Sequence, residues 1–159
     1  MIIIGIDPGS RFCGYGILQL ERRTIVAAGC DVIRMNEKLD LTERLSILYQ
    51  EIGKVLDTYK PDVVAVESIF YGKNIQSAFT LGHARGVILL AIAERGIRFC
   101  EYSPREVKKA VVGNGNASKK QIRYMVQQII KLKTPPPNED SADALAIALC
   151  HFQRFKIGI

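Results

Sequence analysis

The sequence predicts an α/β fold: one five-stranded mixed sheet, with strands one to three antiparallel, strands four and five parallel to the first, and helices on both faces. Three observations lead there. Residues 2–33 hold three short runs rich in β-branched and apolar residues, joined by short connections, which reads as an antiparallel meander. At Leu41 the apolar spacing lengthens to three and four residues, the period of a helix. Beyond it, short apolar runs alternate with helical patterns, the order expected of parallel crossover units.

Each element has its own signal. Ile2 to Asp7 is an apolar run ended by Pro8-Gly9. Tyr15 to Leu20 and Thr24 to Ile33 are the next two strands. Leu41, Leu45, Leu48, Ile52, Val55 and Leu56 form one helical stripe to about Tyr59, where Lys60-Pro61 ends it. Asp62 to Glu67 is a compact fourth strand. Ser77 to Glu94 is a helix thinned by Gly82, Ala84, Gly86, Ala91 and Ala93, which invites close packing. Arg98 to Tyr102 is the fifth strand, and Pro104 suits the first turn of a short helix. Val112 to Asn116 is a loop. Ser118 to Leu132 is a helix with a basic start. Thr134-Pro-Pro-Pro-Asn138 cannot continue a helix, and Glu139 to about Phe155 is the last one.

With 159 residues and no composition shift, the chain is expected to form a single domain over 1–159. Hydrophobic residues make up 48%, which excludes wholesale disorder. The net charge is +6, and it is uneven. Arg98 to Lys133 holds nine basic and two acidic residues, a local +7, so the remainder sums to −1. One basic stretch favours a polyanionic partner, although a solvated lysine-rich surface has the same composition. Cys13, Cys30, Cys100 and Cys150 form no C-x-x-C pair, which argues against zinc. The opening residues have no basic region and only a short apolar run, so the expected setting is a reducing cytoplasm.

Four carboxylates carry the chemistry. Asp7 ends the first strand and Glu67 the fourth. A right-handed crossover through the helix at 41–59 makes those strands parallel, so both acids emerge at one sheet end. Asp140 and Asp143 lie three apart on one face of the last helix. Docking that helix against the same sheet end would gather all four. Such a cluster raises its own pKa values or recruits cations, and oxygen ligands select hard ones such as Mg²⁺ or Mn²⁺. A pair of these ions suits in-line phosphodiester displacement. Each acid also has a plain role open to it. Asp7 suits a turn, Glu67 a strand-end surface, and Asp140-Ser-Ala-Asp143 a capping box. The residues alone leave both readings open.

The blocks GIDPGSRFCGYG, VESIFYGKNIQSAFTLGHARG, VKKAVVGNGNASKKQ and DSADALAIALCH, in this order and spanning nearly the whole chain, resemble the RuvC family of Holliday junction resolvases. The resemblance implies a ribonuclease H-like fold and a homodimer. It implies Mg²⁺-dependent paired nicking of four-way DNA junctions in recombination and repair, with branch-migration proteins RuvA and RuvB as partners. It places the catalytic, metal-holding acids at Asp7, Glu67, Asp140 and Asp143, with two Mg²⁺ ions per site and Mn²⁺ as a substitute. Lys108 and Lys119 match its basic residues near the scissile phosphate, Lys119 as a catalytic residue and both as DNA contacts. Phe70 matches an aromatic that stacks on or wedges into the junction, and Tyr71 is its neighbour.

Lys73, Arg85, Lys109, Lys120 and Arg123 read as ordinary surface cations, and His83 and His151 as structural histidines. Gly113 and Gly115 shape a loop without the G-K-[ST] of a phosphate-binding loop. A kinase or ATPase of the actin and hexokinase type needs two lobes where this chain supplies one. A non-catalytic nucleic-acid module has no use for four clustered acids. A ribonuclease H acting on RNA–DNA hybrid is the nearest enzymatic alternative.

Overall fold

The computed structural model describes the backbone of residues 1–68 and 74–157, with side chains to residue 155 in the last helix. Its elements in chain order are β1 (Ile2–Asp7), β2 (Phe12–Glu21), β3 (Thr24–Arg34), α1 (Leu41–Tyr59), β4 (Val63–Glu67), α2 (Ile75–Glu94), β5 (Arg98–Tyr102), α3 (Pro104–Val112), α4 (Lys119–Ile130) and α5 (Glu139–Ile157). The strands form one sheet in the order β3-β2-β1-β4-β5. β1 is antiparallel to β2 and parallel to β4, and β5 is parallel to β4. This is the mixed sheet expected from the strand pattern.

Period-two alternation sorts the side chains onto two cores. Ile3 of β1, Leu18 and Leu20 of β2, and Val63 and Ala65 of β4 pack with α3, α4 and α5. Ile4 and Ile6 of β1, Cys13 and Ile17 of β2, and Val64 and Val66 of β4 pack with α1 and α2. By the same parity Asp7 and Glu67 belong to the α5 face. The register Ile6↔Val66 then sets them side by side at the ends of neighbouring strands.

The helices start where short polar side chains satisfy their free N–H groups. Asp40, Ser103 and Ser118 each close a capping box with Glu43, Glu106 and Gln121. Asn74 caps α2, which therefore begins at Ile75, two residues before the start at Ser77 expected from its apolar pattern. β2 likewise begins at Phe12, before Tyr15, because Phe12, Cys13 and Gly14 join the ladder, Gly14 despite its low strand propensity. α5 is the central helix: from Ser141 to Phe152 every side chain except Asp143 is buried.

Candidate active site

Asp7 and Glu67 are held at the carboxyl ends of β1 and β4. Glu67 sits between partners on both sides. It pairs with Tyr102 across the β4–β5 ladder, and Arg85 Nε donates to its backbone carbonyl at 3.4 Å. Arg85 is itself mostly buried and paired with Glu101. The sequence reading of Arg85 as a surface cation is thus corrected: it braces the end of β4.

The first turn of α5 supplies the other two acids. The residue that caps this helix is Asn138, whose Oδ1 accepts from the Ser141 N–H at 2.8 Å. Ser141 Oγ donates back to the Asn138 carbonyl at 3.1 Å. The capping role open to Asp140 in the sequence is therefore already filled, and neither Asp140 nor Asp143 is consumed by it. An asparagine after three prolines and before an acidic first turn was the signal for this cap. Arg123 donates to the carbonyl of Pro136 and so ties the proline spacer to α4.

Asp7, Glu67 and Asp143 line one cleft of about 250 Å³ together with Lys108, Lys119, Pro104, Val107 and Ile122. Asp140 is not among the lining residues, but its charge reaches Asp7 and Asp143. Lys119, at the start of α4, stands 3.4 Å from Asp143 and 3.3 Å from Glu139. Glu139 is a partner the sequence reading missed. Lys108 reaches the cleft from α3. Lys109 and Lys120 are exposed, and Phe70, Tyr71 and Lys73 lie outside the described residues.

The electrostatics are those of crowded acids. Burial pushes the Asp7 carboxyl well above its usual range, and the charges of Glu67, Asp143 and Asp140 push it further, with Lys119 opposing. Glu67 is pushed up to about 7, first by burial and then by Asp143, against Lys108 and Lys119. Burial also raises Asp143, with Lys119 opposing most strongly. Without a further cation this cleft does not hold its full negative charge near neutral pH.

Among the described residues, no three His, Cys, Asp or Glu side chains stand close enough to hold an ion as they are placed. The donor set nevertheless fits a hard divalent cation, because it is all oxygen, buried and short of positive charge. The Lys119 ammonium beside Asp143 supplies part of that charge. Of the two histidines, His151 is structural as expected: Nδ1 lies 2.7 Å from the Tyr102 hydroxyl in the buried core. His83 is instead exposed on α2.

The arrangement has known counterparts. The family model "Crossover junction endodeoxyribonuclease RuvC" matches residues 3–151. A protein of that name from Natranaerobius thermophilus is 41% identical over 157 residues, covering 99% of this chain and 98% of its own. One from Hydrogenovibrio crunogenus is 46% identical over 157 residues, covering 99% and 90%. The solved structure of T. thermophilus RuvC in complex with Holliday junction substrate superposes with a TM-score of 0.90 at 33% identity, covering 99% of this chain and 96% of that one. The strand order, the parallel pairing of β1 with β4 and the match across almost the full length agree, and the chain belongs to the RuvC family of crossover junction endodeoxyribonucleases.

Proposed function

We propose that this protein is a metal-dependent endonuclease that resolves four-way DNA junctions by two symmetric nicks, acting in recombination and repair as one nuclease domain over 1–159. The observation that carries this reading is the convergence of strand-end and helix-turn carboxylates on one cleft flanked by two lysines.

Asp7, Glu67, Asp140 and Asp143 would hold two Mg²⁺ ions, for which Mn²⁺ would substitute. Such a pair would supply activation of an attacking water and charge compensation for the leaving oxygen. The carboxylates would bind such ions as anions, giving up any proton that the metal-free cleft retains. Lys119, which stands 3.4 Å from Asp143 and lines the same cleft, would lie at the scissile phosphate. There it offsets the charge that grows as the water oxygen bonds to phosphorus and one P–O bond breaks. Lys108 grips the same phosphate from α3. Phe70, three residues beyond Glu67, stacks on a base at the junction.

Two nicks need two sites, and one chain carries one set of acids, so the active species is a homodimer. α2 supports this. Ala84, Ile88, Ala91 and Ile92 face inward, while Phe79, His83, Gly86, Leu90 and Ala93 form an exposed stripe at alternating spacings of four and three residues. Phe79 is 68% and Leu90 52% exposed, and a Cβ on Gly86 would meet nothing within 4 Å. By length and composition α2 also passes for a membrane span, but a dimer contact uses the same apolar excess. The cytoplasm is the setting, and branch-migration proteins of the RuvA and RuvB type are the further partners.

The test is a cleavage assay on a synthetic four-way junction beside RNA–DNA hybrid and plain duplex, with and without Mg²⁺. Paired nicks in the junction alone, lost in Asp7→Asn, Asp140→Asn and Asp143→Asn while junction binding persists, are expected. Cleavage of the hybrid in preference to the junction would refute the reading.

A further inference from the structure

We propose that Gly14 is a positioning residue that sets the gap between Asp7 and Asp140, and with it the spacing of the metal ligands; this rests on the carboxylates being those ligands. Gly14 pairs directly with Asp7 across the β1–β2 ladder, so its missing side chain would point to the same face as the Asp7 carboxylate. What occupies that space is the backbone of α5. A Cβ on Gly14 would lie 2.1 Å from the Asp140 carbonyl oxygen, 2.5 Å from its carbon and 3.2 Å from the Asp140 Cβ. The helix turn that carries Asp140 thus rests on bare strand backbone beside Asp7.

Space is the reason for glycine here, not conformation. Among the described residues only Gly96 and Gly113 are glycines with positive φ. Gly14 is ordinary extended strand, where glycine weakens the sheet. Two further glycines on the same face continue the seat. A Cβ on Gly16 would lie 2.6 Å from the Leu145 nitrogen, and one on Gly5 would lie 2.1 Å from the Ala144 carbonyl oxygen. Gly29 of β3, by contrast, has nothing within 4 Å of its Cβ position. Among the strand glycines the close approach is confined to the line on which α5 lies, and Gly14 is the member of that line at the carboxylate end.

Restoring ordinary contact at 3.4 Å requires the Asp140 backbone to retreat by about 1.3 Å. A carboxylate carried back by that distance no longer shares an ion with Asp7. Lengthening its arm by one methylene, about 1.5 Å, offsets the retreat.

The experiment measures Mn²⁺ binding to the full-length protein by titration calorimetry, with unfolding curves and junction binding in Ca²⁺ as controls. Gly14→Ala is expected to bind Mn²⁺ about 10–100-fold more weakly than wild type while still binding the junction. Asp140→Glu weakens Mn²⁺ binding in the wild-type background and restores it in the Gly14→Ala background, a reversal that a merely destabilised sheet would not produce. Gly29→Ala leaves binding unchanged. If Gly14→Ala does not fold, Gly16→Ala displaces the helix beside Asp143 and is expected to lose Mn²⁺ affinity in the same way. Mn²⁺ affinity of Gly14→Ala within about twofold of wild type, or no rescue by Asp140→Glu, overturns the proposal. A wild type that binds no Mn²⁺ overturns the ligand assignment itself.

Discussion

Replacing Glu67 by Gln is expected to make the metal-free protein more stable, by an amount that depends on pH. Glu67 is a carboxyl whose pKa is raised from 4.5 to about 7 by burial and by Asp143. A raised carboxyl destabilises the fold wherever it is ionised in the unfolded chain and resists ionisation in the folded one. The cost is absent below about pH 4.5, grows through pH 7 and is complete above it. At 1.36 kcal/mol per pH unit the interval corresponds to roughly 3 kcal/mol. For a chain of this size that is about 6–12 °C in melting temperature. The amide of the variant does not ionise, so whatever it costs in packing is the same at every pH and cancels in the comparison. Urea unfolding of wild type and Glu67→Gln in EDTA, at pH 5 and at pH 8, reads the effect. The stability difference should shift in favour of the variant by roughly 2.5 kcal/mol between the two values. Mg²⁺ should remove much of the wild type's deficit at pH 8, because the cation compensates the buried carboxylate charge. An equal difference at both pH values would refute the picture of a carboxylate cluster that lacks its cation.

Three further outcomes follow from particular contacts. Lys119→Ala should lower the cleavage rate about 100-fold while junction affinity falls less than about tenfold, as the proposed action of its amine on transition-state charge requires; equal losses would assign it to phosphate grip, with Lys108→Ala as the comparison. Leu90→Glu, on the exposed stripe of α2, should yield folded monomers in sedimentation, whereas Ile92→Glu should unfold the chain, because Ile92 is 1% exposed; dimers that survive Leu90→Glu would place the interface elsewhere. Arg22 and Arg23 form the tight β2–β3 turn with φ of 46° and 63°, a conformation that asparagine adopts more readily, so Arg22→Asn should raise stability by about 0.5–1 kcal/mol in thermal unfolding, with Arg23 retained because its guanidinium lies 5.7 Å from the Phe155 ring centre.

Local pattern alone determined a good deal. The apolar periods located nearly every element, since a strand buried on both faces and a helix with one apolar stripe leave different spacings in the chain. Asp7 and Glu67 were legible as partners because a parallel crossover carries both strand ends to the same edge. Asp140 and Asp143 were legible as a pair from their spacing on one helix. What the sequence left open was whether Asp140 is needed as the helix cap and whether the strand ends meet α5, and the tertiary structure answers both. Asn138 takes the capping bonds, and the cleft joins the two strand ends to α5. From Val87 to Ala93 α2 is apolar all round, so its sequence could not tell Leu90 from Ile92; the packing of α1 and the sheet against one face buried the second and left the first exposed. Nothing in the sequence marked Gly14 and Gly16 as the seat of α5. A glycine's value there lies in the atoms it omits, and only the helix that fills the space reveals it.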